Sequence, residues 1–201
     1  MVKADCGGCN GCSRCCHGMG NSIILDPYDV YRMTTGMGKS MQELLAASVE
    51  LNVVDGVILP NLKMQGAEEA CAYLDEEGRC SIHPYRPGIC RLFPLGRYYE
   101  NGGFSYFLQT GECAKENRSK IKVSKWIDTP DLTRNQQFTL QWHDLLHAME
   151  ERLTGEDEGK QREENLLLLR LFYLLPYEGT IDFYTQFTER MEHWNGQNGQ
   201  I

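Results

Sequence analysis

Nine cysteines occur in this chain of 201 residues, five of them between Cys6 and Cys16. Written out, the cluster is Cys6-x-x-Cys9-x-x-Cys12-x-x-Cys15-Cys16. Two thiolates separated by two residues can curl onto one metal centre, which is why C-x-x-C serves both zinc knuckles and iron-sulfur loops. Tetrahedral zinc usually takes two ligands from one knuckle and two from another segment, whereas a four-iron cubane offers separate corners to a continuous ladder. Local spacing therefore tilts toward iron-sulfur, although the Cys-Pro that closes the bacterial ferredoxin motif is missing. Adjacent side chains such as Cys15 and Cys16 are expected to point apart, so that they serve different centres or one is spare. The remote thiols are Cys71, Cys80, Cys90 and Cys113. Eight plausible ligands would fill two four-thiolate sites. Taken alone, Cys71 or Cys113 reads equally well as a buried small hydrophobe, but four such thiols beside a ladder do not.

Other residues near the thiols have competing readings. His17 and His83 are possible zinc or iron ligands, with a polar loop histidine the simpler account. Arg86 and Arg91 are expected to lie beside the thiolate centres, whose negative charge they would offset by hydrogen bonds to sulfur; the alternative, a clamp on a substrate's carboxylate or phosphate, comes second. Asp26 stands before Pro27 and reads as a helix cap rather than a catalytic acid. His143 and His147 share a helix face at ligand spacing, but H-E-x-x-H is absent and solvent-facing histidines are the expectation. No phosphate-loop or strand-linked G-x-G-x-x-G pattern is present.

The elements that must position these residues divide near residue 125, because all nine cysteines precede that point. From Asp5 to Gly20 a glycine-rich loop surrounds the first thiols. Ser22-Ile23-Ile24-Leu25 reads as a strand, Asp26-Pro27 opens a helix to about Met33, and Ser40 with Glu43 caps a second helix carrying Leu44, Leu45 and Leu51. Val57 to Gln65 is ambiguous between strand and loop. One hairpin is expected from Cys71-Leu74 and Cys80-Ile82 around Asp75-Gly78, and another from Arg97-Tyr99 and Phe104-Phe107 around Asn101-Gly103. Beyond Thr129-Pro130, apolar residues at helical spacing predict helices from Phe138 to Leu153, Gln161 to Leu175 and Phe183 to Trp194. Trp126, Trp142 and Trp194 read as core. The fold class is α+β, with residues 1–125 a cysteine-rich metal-binding domain and residues 126–201 a helical extension packed on it.

Composition bounds the partners. With 20 Lys+Arg against 28 Asp+Glu the net charge is -8, which argues against nucleic acid or an anionic membrane. Leu166 to Leu175 is too short and too interrupted to span a bilayer. Met1 to Asp5 leaves no space for a secretory signal, so a cytoplasmic location is expected, where clustered thiols are ligands or redox groups rather than structural disulfides.

Cys9-x-x-Cys12-x-x-Cys15-Cys16, Cys71 to Cys80, Ser81-Ile82-His83-Pro84-Tyr85-Arg86-Pro87-Gly88-Ile89-Cys90-Arg91 and finally Cys113 together resemble the CxxCxxCC cysteine-cluster family, a YkgJ-like zinc- or iron-chelating domain. Related domains occur in flagellin lysine N-methylases. The resemblance spans about residues 9 to 115 and implies that Cys9, Cys12, Cys15, Cys16, Cys71, Cys80, Cys90 and Cys113 chelate metal, leaving Cys6 extra. The expectation is a metal-binding protein with one or two thiolate-ligated centres, iron-sulfur (4Fe-4S) ahead of zinc. A redox or group-transfer enzyme, for example one with methylase-like activity on protein lysine, and a zinc-stabilised module binding a protein partner are the alternatives. Whether the chain is an enzyme, and its oligomeric state, stay open.

Overall fold

The computed structural model describes residues 1–5, 12–113, 115 and 117–198. Cys6 and Cys9 lie outside the described residues. After β1 (Val2–Asp5), Arg14–Cys16 forms a single 3-10 turn. Ser22 to Leu25, read as a strand from sequence, makes only a bridge from Ile24 to Asn61. Asp26 and Pro27 start a helix at once and leave no length for a ladder.

That helix, α1 (Pro27–Met37), begins with reciprocal caps. The Asp26 carboxylate accepts the Asp29 N–H at 2.8 Å, and the Asp29 carboxylate accepts the Asp26 N–H at 3.3 Å. It continues a turn past Met33 to Gly38. The Ser40–Glu43 box opens α2 (Met41–Ala47) as expected. Leu51 does not belong to that helix. It lies in β2 (Val49–Val54), which pairs antiparallel with β3 (Val57–Leu62) and resolves most of the ambiguous segment. The turn between them is Asp55-Gly56, with φ of 51° and 81°, the geometry that matches strand twist in a two-residue hairpin.

Next, β4 (Met64–Gln65) pairs with β5 (Ala70–Cys71). The hairpin expected around Asp75-Gly78 closes by one bridge, Leu74 to Cys80, because Cys71 is engaged with Met64 instead. A short α3 (Gly88–Leu92) leads to β6 (Leu95–Glu100) and β7 (Gly103–Leu108), which form the second expected hairpin around Asn101-Gly102. The strand β8 (Ser119–Ile121) returns to β1, and α4 (Val123–Ile127) follows.

The remaining helices are α5 (Leu132–Leu153), α6 (Glu158–Leu169) and α7 (Phe183–Asn198). The expected continuous helix to Leu175 changes character at Arg170–Leu174, where the chain takes wider π turns. Arg190 donates to the carbonyls of Leu171, Leu175 and Pro176 there, satisfying oxygens the loosened turns leave open. These helices share one core with α1, α2 and β3, built on Phe138, Phe172, Phe183 and Phe187. Polar tethers join the layers: the Tyr173 hydroxyl donates to Leu25 O at 3.1 Å, and Asn165 accepts from Ile58 N–H at 2.6 Å. A smaller cluster of Leu92, Leu95 and Ile127 lies beneath the second hairpin. The architecture is α+β with C-terminal helices, and no described helix is long and apolar enough to cross a membrane.

Candidate metal centre

Cys15 and Cys16 do not diverge. They sit in the Arg14–Cys16 turn, where three residues per turn rotate neighbours by about 120° rather than to opposite sides. The Cys16 thiol donates to Cys15, which together with a backbone hydrogen bond and the charge of Arg86 lowers Cys15 to about 6 against the opposing effect of burial. Cys16, as the donor, is pushed up by that bond and by burial. The proton the pair shares is thereby favoured on Cys16 over Cys15.

The remote thiols arrive on separate supports. Cys71 is fixed by its pairing with Met64, and Cys80 by its bridge to Leu74. Burial raises both thiols. Cys90 rides on α3, whose position is set by α1. Asp29, itself buried, accepts the Gly88 N–H at 2.6 Å and stands 3.8 Å from Arg91 Nη2. The Arg91 guanidinium lies 5.6 Å from the Tyr28 ring centre. One turn further along α1, Arg32 donates to Pro84 O. Gly36 completes the contact, since a Cβ there would stand 2.3 Å from the Tyr85 ring.

Arg91 therefore departs from expectation, for it faces α1 and not the thiols. Successive helical residues differ by about 100°, so Cys90 and Arg91 address different surroundings. Burial, with the neighbouring Asp26 carboxylate, pushes Asp29 up to about 7 despite Arg91 and the Gly88 N–H. Burial pushes the Cys90 thiol up strongly as well.

Cys12, Cys15, Cys16, Cys71, Cys80 and Cys90 all line one cavity of about 860 Å³. His17, His83 and Arg86 line it too, and His17 Nδ1 lies 3.3 Å from Glu68 O. Cys113 is half-buried and does not line it, although its neighbour Glu112 does. The seven described cysteines are all free of disulfides. No group of three or more His, Cys, Asp or Glu among the described residues is gathered to hold a metal ion. The thiols share a space without being drawn to one point. As a donor set they nevertheless suit soft-ligand metals, zinc or iron-sulfur.

Sequence reasoning missed Asp29, Arg14, Arg79, Phe93 and the site-facing position of Trp126. Asp29 carried a signal, standing three residues after the Asp26 cap. The cavity walls carried none. The His143 and His147 pair lies elsewhere: His143 stacks on Tyr99 at 3.7 Å rather than facing solvent alone, and His147 Nδ1 is 3.5 Å from the Glu151 carboxylate.

A family model described as "Putative zinc- or iron-chelating domain", CxxCxxCC, matches residues 8–139. The chain belongs to the CxxCxxCC family. Metal chelation is thus its shared family property, and the matched region runs past residue 115 into α5, farther than the cysteines themselves. No curated protein and no solved structure matches the chain.

Proposed function

We propose that Cys9, Cys12, Cys15, Cys16, Cys71, Cys80, Cys90 and Cys113 hold one or two thiolate-ligated centres, iron-sulfur of the 4Fe-4S type in preference to zinc. The observation that carries this reading is the convergence of six described thiols, from four separate segments, on one cavity. Cys9 and Cys113 complete the set by the family pattern. The unbroken C-x-x-C ladder favours iron. Bound there, an iron-sulfur centre would supply electron transfer and zinc would supply Lewis acidity or rigidity. The chain itself contributes a Cys15 thiol lowered by its bond from Cys16, and a clamp from α1 that holds Cys90 in place. Residues 1–125 form the metal-binding unit in this reading, residues 126–201 its helical support, and the free thiols suit a reducing cytoplasm.

Anaerobic purification followed by metal and acid-labile sulfide analysis tests the proposal. A brown protein with iron and sulfide in excess over zinc is expected, and a colourless zinc-loaded protein would overturn the iron assignment. A catalytic role, redox or group transfer, is the second reading, favoured by the extent of the cavity beyond the thiols.

A further inference from the structure

The thiols occupy only part of their cavity. Its remaining wall includes Ile89, Phe93, Leu95 and Trp126, which have no atom suited to ligating a metal. The Trp126 indole N–H is already donated to Leu92 O at 3.2 Å, so the side chain offers the cavity apolar ring surface. Ile89 is 40% exposed. A volume of about 860 Å³ lies within the roughly 300–1,000 Å³ range of small-molecule sites.

Charge selects among possible occupants. Arg86 is half-buried, lines the cavity and makes no hydrogen bond or ion pair with any described residue, though its charge acts on the nearby Cys15 and Cys80 thiols. Arg79 and His83 line the same cavity, and both arginines lie close enough to hold His83 below the usual imidazole range, beyond the effect of burial. Glu68 and Glu112 also line the cavity, as does Arg14 beside the thiols; the Arg79–Arg86 segment is where two arginines act together on His83. A guanidinium presents a planar donor fork that matches a carboxylate.

We propose that this cavity seats an organic carboxylate beside the thiols, with its charge on Arg86 and an aromatic or branched apolar body against Ile89, Phe93 and Trp126. The seat is built from residues other than the thiols, with Arg86 shared electrostatically between the carboxylate and Cys15.

The test uses the full-length protein as purified, titrated calorimetrically with phenylpropionate, phenylpropanol and phenylpropylamine, with metal measured in the same samples. Phenylpropionate should bind about tenfold more tightly than the alcohol, with the amine weakest, as a charge-assisted contact predicts. Arg86→Gln should abolish that preference, and Trp126→Ala should weaken carboxylate and alcohol alike. If Arg86→Gln does not fold, Arg79→Gln and the loss of the carboxylate preference at high salt decide instead. Equal affinity for the three probes, binding of none, or a preference that survives in folded Arg86→Gln overturns the inference. A metal-loaded protein that does not rank the probes defeats this inference alone, whereas a metal-free protein that ranks them defeats the metal reading and leaves the seat standing.

Discussion

The two sides of α1 are held by different physics. On one side Tyr28 meets Phe183 edge-on at 4.9 Å, and Phe138, Phe172 and Phe187 continue an aromatic core into the C-terminal helices. On the other side Asp29, Arg32 and Gly36 grip the segment that carries Cys90 through hydrogen bonds, one buried ion pair and a close backbone approach. Burial of large apolar groups is non-directional and tolerates small shifts. A buried polar clamp fixes direction, which a thiol-bearing helix of five residues cannot do for itself. The second hairpin and α4 add only a small apolar cluster to that side. Metal is the natural source of the missing stability there, since binding to a site absent from the unfolded chain is folding free energy.

Removing metal is expected to separate the two sides most sharply. Structural zinc is worth about 10 kcal/mol or more in small domains. Chelation should therefore strip hydrogen-exchange protection from α3 and the β6–β7 hairpin while α5, α6 and α7 keep theirs. Simultaneous loss everywhere would show that the two sides are one cooperative unit.

Phe172→Ala attacks the aromatic side. Phe172 is fully buried, and its truncation should cost about 3–5 kcal/mol in urea unfolding while the folded fraction retains its metal. Asp29→Ala attacks the polar side: with Asp29 only partly ionised near neutral pH, loss of the acceptor for the Gly88 N–H and Arg91 should cost about 1–3 kcal/mol, and metal content should fall with it. The pH dependence has a defined sign. Because Asp29 is raised to about 7, the folded protein keeps a proton between about pH 4 and 7 that the unfolded chain releases. This contribution is complete below about pH 4 and is lost as pH rises through about 7, so the gap between wild type and Asp29→Ala should narrow over that range.

The smallest expected effect tests a tether between layers. Asn165 accepts from Ile58 N–H and donates to Gly56 O and Gln161 O, so Asn165→Ala should cost about 1–3 kcal/mol, seen as a lower thermal midpoint with metal content unaltered. A change in metal content would mean that the β2–β3 hairpin influences the thiols.

Much of the fold was legible where its cause is local. The caps at Asp26 and Ser40 and the Asn101-Gly102 turn were readable because the backbone groups they satisfy or bend lie within four residues. The Asp55-Gly56 turn was equally visible in the residues but went unread, which left Leu51 in a helix and Val57 to Gln65 undecided. Leu44, Leu45 and Leu51 fit helical spacing as text. Pairing across the hairpin overruled that pattern, as tertiary context does for short apolar runs.

The candidate site divides in the same way. Thiol chemistry, the preference for soft metals and membership of a chelating family follow from residue type and spacing, because metal preference is a property of the donor atoms. Which thiols share a cavity does not follow from spacing. Cys71, Cys80 and Cys90 reach it through a strand pair, a single bridge and a clamped helix, while Cys113, equally suited as a ligand, does not line it. Arg91 was drawn from the thiols to Asp29 by a contact 62 positions away in the chain, and Cys15 and Cys16 were turned to the same side by one tight turn. Residue order determines which atoms are able to bind. Direction and proximity depend on contacts between distant segments, and the folded chain alone decides those.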